Sequence, residues 1–110
     1  MRGLSQGDII WIDLDPQAGH EEGKRRPALV VSGKEALLLI KGLALVCPIS
    51  SHSRPFPTHV SLDSRTNTKG LILCEQVKAL DIGARNGAFI EKAPDEIVGE
   101  VLDILHSMLD

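Results

Sequence analysis

Only one stretch of the chain sustains an apolar stripe at helical spacing. In APDEIVGEVLDILHSMLD (residues 93–110) the apolar positions 97, 98, 101, 102, 104, 105, 108 and 109 share one face, and Pro94, Asp95 and Glu96 stand where a helix start favours them. The rest of the 110 residues has to build its core from short apolar runs broken by glycine, proline and polar loops, which is the pattern of strands. The fold class expected is therefore mostly β: a small, strongly curved antiparallel sheet or barrel with a C-terminal helix capping it, in a single domain over 1–110.

The runs can be placed one by one. DIIWID after Gly7 reads as a first strand, closed by the Asp-Pro turn signal of LDPQAG. A long polar loop, residues 17–26, leads to a strand resuming at Pro27 with PALVVS. GKEALLLIKG fits a short helix or a run into the next strand equally well. LALVCPIS is a strand, SHSRPFP a proline-stiffened loop, THVSL a short alternating strand and KGLILCEQVKAL one longer strand. Trp11 and Phe89 are expected in the core. Cys47 and Cys74 lack metal-site spacing and are expected buried and unpaired. No run has membrane-span length and MRGLSQGDII has no signal-peptide core, so the expected compartment is the cytoplasm.

A formal net charge of −3 hides an asymmetry: residues 91–110 hold six acids and one base, leaving nine acids and eleven bases in the body. The cations cluster in GHEEGKRRPALVVS (residues 19–32), where Lys24, Arg25 and Arg26 run directly into the apolar strand. Such clustering suits a polyanionic partner. Pro27 restricts Arg26 to extended backbone and so helps fix where its guanidinium points.

Six pieces, GDIIWIDLDP (7–16), GHEEGKRRPALVVS (19–32), VCPISS (46–51), PTHVSL (57–62), GLILCEQVKALD (70–81) and the closing helix, resemble in order the MazF/PemK-like toxins of bacterial toxin–antitoxin pairs. The resemblance implies an SH3-like barrel that forms a homodimer, cuts single-stranded RNA without metal or cofactor, and is silenced by an acidic antitoxin protein. The chain departs from the family pattern at Ser50, where threonine is usual, at Glu75, where aspartate is usual, and at Leu73, where some relatives carry a cation.

Metal-free cutting uses the RNA's own 2′-hydroxyl as nucleophile, so the protein must stabilise charge on the phosphate, accept a proton and donate one. The resemblance gives Arg26 the phosphate, through its planar fork, and Ser50 a supporting hydrogen bond. Glu21 and His20 are the alternative proton acceptors, with Glu21 ranked first. The proton donor stays unassigned, since arginine titrates above about 12. Candidate RNA contacts are Lys24, Arg25, Arg54, Lys78 and Arg85 on phosphates, Ser51, Glu75 and Gln76 beside the matched motifs, and His52 and Phe56 stacking on bases. Asp13 and Asp15 share a strand face, but two carboxylates without a third ligand do not make a metal site. His59 and His106 are expected to be satisfied structural histidines. Two other readings stay open: a non-enzymatic toxin of this shape that poisons DNA gyrase, and a degenerate relative that binds RNA without cutting it.

Overall fold

A computed structural model describes residues 3–14 and 25–110. The elements run β1 (Asp8–Asp13), β2 (Arg25–Val30), α1 (Lys34–Leu39), β3 (Leu43–Ser50), β4 (His59–Ser61), β5 (Leu71–Leu73), a 3-10 turn (Cys74–Gln76), β6 (Lys78–Asp81), β7 (Ala88–Lys92) and α2 (Asp95–Leu109). Seven strands among the described residues form one antiparallel, curved sheet in the order β4-β5-β3-β2-β1-β7, with β6 also paired to β3. Its end strands, β4 and β7, do not pair with each other, so the barrel-like sheet stays open.

Alternation along each strand splits the core in two. Ile9, Leu29, Cys47 and Ile49 face α2 and pack with Val60, Ile72, Ile97, Val98 and Val101. Their neighbours Ile10, Ala28 and Val30 face the other way and pack with Ile12, Val46, Leu80 and Ile82. Each fully buried Ile, Leu or Val contributes about 1.5–3 kcal/mol, so one-residue slips of register are strongly disfavoured on both faces. The C-terminal stripe behaves as its spacing requires: Ile97, Val98 and Val101 are buried, and Leu102, Ile104 and Leu105 pack at the margin.

GKEALLLIKG, which the pattern left open, resolves as the helix α1, with Leu38 and Leu39 left exposed. Three expectations need correction. The second strand starts at Arg25 rather than Pro27, because Arg25 and Arg26 already pair with Asp13 and Ile12. Trp11 and Phe89 are not core: each is 42% exposed, Trp11 lying opposite Pro27 on the outer surface.

The third concerns KGLILCEQVKAL, which is two strands and a turn. β5 sets Ile72 against Ile49, and uninterrupted pairing would bring Glu75 opposite Val46; instead β6 sets Lys78 there, three residues later. The surplus is taken up by the 3-10 turn Cys74–Gln76, which buries Cys74 and projects Glu75 and Gln76 outwards. Cys74 also holds Cys47: both are free and buried, and a thiol–thiol hydrogen bond together with burial pushes the Cys47 thiol up. No helix among the described residues is long and apolar enough to cross a membrane.

Candidate active site

At the end of β3 the chain bends, and the bend is held by its own serine. The Ser50 hydroxyl accepts the His52 backbone N–H at 3.1 Å and the residue is only 8% exposed. Ser51 and His52 are thereby turned outwards, with Ser51 Oγ and His52 Nδ1 3.2 Å apart. Beneath the bend, Gly70 has φ +127°, and a Cβ there would stand 2.6 Å from the Ser50 carbonyl oxygen. Only glycine lets the two backbones approach this closely.

β2 lies beside β3, with Ala28 opposite Pro48. Carrying that register two residues on sets Arg26 against Ser50. A cleft of about 310 Å³ opens here, lined by Arg25, Arg26, Pro27, Ile49, Ser51, His52 and Lys69. The structure thus brings the expected cation and a strand-end hydroxyl to one place, but the hydroxyl facing the cleft is that of Ser51. Ser50 is not among the cleft-lining residues, and its hydroxyl oxygen accepts within the bend.

Lys69 is the cleft residue that the sequence did not point to. Its ammonium donates to the Thr66 carbonyl at 2.9 Å. The turn that carries it is fastened from β7: Glu91 accepts from the backbone N–H of Asn67 (3.0 Å) and of Thr68 (2.7 Å) and from the Thr68 hydroxyl (2.7 Å). Burial works against the Glu91 charge, yet these donors hold its carboxyl below the usual range. The pairing of Leu71 with Ser50 carries this turn to the cleft, a contact between positions twenty-one apart that no local motif announces.

Arg25 splits its role, donating to Asp13 Oδ1 at 3.2 Å while lining the cleft. Asp13 also accepts from Asn86 Nδ2 at 2.8 Å, and its backbone oxygen accepts from Arg85 at 3.1 Å. The hydrogen bond from Asn86, helped by Arg25 and opposed by burial, lowers the Asp13 carboxyl. Arg85 and Lys78 do not line the cleft; Arg85 buttresses β1, and Lys78 lies exposed on β6. Arg54 and Phe56 are exposed on the loop 51–58 that leaves the cleft. His20, Glu21, Lys24 and Asp15 lie outside the described residues.

That loop ends in a second polar group. Thr58 donates its hydroxyl to Glu75 Oε1 at 2.6 Å, His59 Nε2 meets Glu75 Oε2 at 3.1 Å, and His59 Nδ1 meets the Arg54 carbonyl at 2.8 Å. Phe56 tilts against the His59 ring, with centroids 5.6 Å apart. Burial disfavours the Glu75 charge, but Thr58 and His59 outweigh it and keep the carboxyl below its ordinary value. His59 is therefore a satisfied histidine, as expected; His106 lies exposed on α2.

A larger groove, about 770 Å³, runs between α1 and the strands, lined by residues including Leu4, Leu37, Leu38, Leu43 and Ile82, with Lys34 as its cation. Size does not make it the chemical site. Its walls are mostly apolar, whereas the smaller cleft gathers, among the described residues, three cations, a hydroxyl and an imidazole.

Residues 5–109 match the family of PemK-like, MazF-like toxins of type II toxin–antitoxin systems. Among curated proteins, the chain is 36% identical to the endoribonuclease PemK of Escherichia coli, across 96% of this chain and 82% of PemK. It is 34% identical to the endoribonuclease toxin ChpB of Escherichia coli K12, across 97% and 95%. A crystal structure of MazE–MazF from Deinococcus radiodurans superposes with a TM-score of 0.88 at 33% identity, covering 99% of this chain and 97% of that one. MazF from the same organism superposes at 0.86, also 33% identical, covering 99% and 98%.

Proposed function

The chain belongs to the PemK-like, MazF-like toxin family of type II toxin–antitoxin systems, and from that premise we propose that it is the toxin of such a pair, an endoribonuclease that cuts single-stranded RNA in the Arg26 cleft. The observation that carries this is the sharing of one cleft by Arg26, Ser51, His52 and Lys69. A ribose 2′-oxygen attacks the adjacent phosphorus, the bond to the 5′-oxygen breaks, and the products are a 2′,3′-cyclic phosphate and a 5′-hydroxyl.

Arg26 grips two phosphate oxygens and neutralises the charge that builds there. Ser51 donates a hydrogen bond to the same phosphate. Lys69 and Arg25 hold neighbouring phosphates by charge, a contribution that weakens with salt. His52, lining the cleft beside Ser51 with Nδ1 3.2 Å from the Ser51 hydroxyl, is placed to protonate the departing 5′-oxygen. Glu21, with His20 behind it, remains the proposed acceptor. Trp11, exposed and directly opposite the cleft residue Pro27, gives a base a face to stack on, as does Phe56. No metal or cofactor enters these steps.

Names of the relatives favour cutting over gyrase poisoning: PemK and ChpB are both endoribonucleases. The antitoxin reading draws on the MazE–MazF complexes of Deinococcus radiodurans. An acidic segment of such a partner would fill the same cationic cleft and exclude RNA. The reading also includes action in the cytoplasm and assembly as a homodimer.

The test is cleavage of a single-stranded transcript in EDTA. Cutting with 5′-hydroxyl ends is expected, and Arg26→Ala should lower kcat by about 10²- to 10³-fold, the usual cost of removing one transition-state donor. Cleavage that EDTA abolishes, or an Arg26→Ala protein as active as the parent, would refute the mechanism.

A further inference from the structure

We propose that His59 is a positioning residue of the RNA-cutting site: as a doubly protonated imidazolium it clamps Glu75 and ties down the loop 51–58 that carries Ser51 and His52 into the cleft. The inference rests on the endoribonuclease reading above and adds a residue to it that lies outside the cleft.

Hydrogen-bond chemistry fixes the protons. A backbone carbonyl can only accept, so Nδ1, 2.8 Å from the Arg54 oxygen, carries a hydrogen. Glu75 is held ionised, with Oε1 already accepting from Thr58. Its Oε2 can only accept as well, so Nε2, at 3.1 Å, carries the second hydrogen. Both nitrogens donating means a charged ring. The ring is 11% exposed and Glu75 37% exposed, so the carboxylate keeps an outward side on which further donors, such as a base amino group, can bind.

The surroundings agree. Burial opposes the charge on His59, and the bonds to Glu75 and the Arg54 carbonyl overcome it, lifting the ring above its ordinary value of 6.5. Facing it are Glu75 and Cys74 of the 3-10 turn, the Arg54 carbonyl and Phe56 ring of its own loop, and Leu73 opposite on β5. Glu96 of α2, which also packs near β4, turns to Arg65 instead. Losing one proton forces His59 to surrender either Glu75 or Arg54. The first frees the carboxylate to rotate, and the second loosens the loop that returns to His52.

Two measurements on the full chain test this. Titration of His59 by NMR should give a midpoint above 6.5, falling in Glu75→Gln. Cleavage of a long single-stranded transcript should be compared between wild type and His59→Gln, which retains one donor and no charge. Below the ring's midpoint the variant should lose roughly tenfold in kcat/KM, the scale of one charge-assisted hydrogen bond. The gap should close as pH rises and the wild type discharges, and Glu75→Gln should show the same convergence. A wild-type midpoint at or below 6.5, or a loss equal at every pH, overturns the inference and leaves the nuclease standing. A wild-type chain that cuts no transcript at any pH defeats the nuclease reading, and the role of His59 in cleavage falls with it.

Discussion

Ser50 and Ser51 are adjacent hydroxyls with different duties, and strand alternation explains why. Ser50 closes β3 with its side chain turned into the protein, where it accepts the His52 N–H and shapes the bend; Ser51 lies beyond the strand and reaches the cleft. The two substitutions should therefore separate. Ser51→Ala should lower kcat while leaving thermal stability within about 0.5 kcal/mol, as for surface changes generally. Ser50→Ala should cost about 1 kcal/mol of stability through the lost hydrogen bond and affect cutting through the displaced His52. Steady-state kinetics with thermal denaturation of both variants checks this; a Ser50→Ala protein that is fully stable and catalytically dead would return the phosphate contact to Ser50.

Among the elements, α2 does more than cover the sheet. Arg65 forks onto Asp63, with Nη2 2.8 Å from Oδ2, and reaches Glu96 at the start of α2 with Nη1 at 2.6 Å, tying the β4–β5 connection to the helix. Hydrogen bonds from the Arg65 side chain and backbone hold the Asp63 carboxyl at about 2, below its ordinary 3.8. A depressed folded value contributes stability that is complete above the unfolded value and disappears as pH falls through the folded one. Wild type should thus lose stability relative to Arg65→Ala between pH 3.8 and about 2, measured by urea denaturation at each pH. Parallel acid profiles for the two proteins would rule the contact out as the cause. The same connection carries Lys69 and Gly70, so its anchoring by Arg65 and Glu91 is how remote elements hold one wall of the cleft.

For the molecule as a whole, an apolar surface lies outside the cationic cleft: Leu38, Leu39, Ile40, Leu43 and Leu45 are all exposed on α1, β3 and the turn between them. Apolar exposure of this kind suits an interaction surface, and the homodimer proposed above would use it. Light scattering should give twice the 11.9 kDa chain mass, and Leu45→Glu should return single chains; a monomeric wild type would remove the assignment. The C-terminal helix, β1, β3 and the cluster of cations around Arg26 were legible in the chain alone, because periodicity, turn chemistry and charge clustering are local properties. Long-range pairing settled the rest: that Ser51 rather than Ser50 lines the cleft with Arg26, that Lys69 lines it too, that Trp11 is outside, and that a surplus of three residues against β3 pushes Glu75 out to His59. Each of these depends on which residues of distant strands stand opposite one another, and such pairing is settled by burying two apolar faces at once.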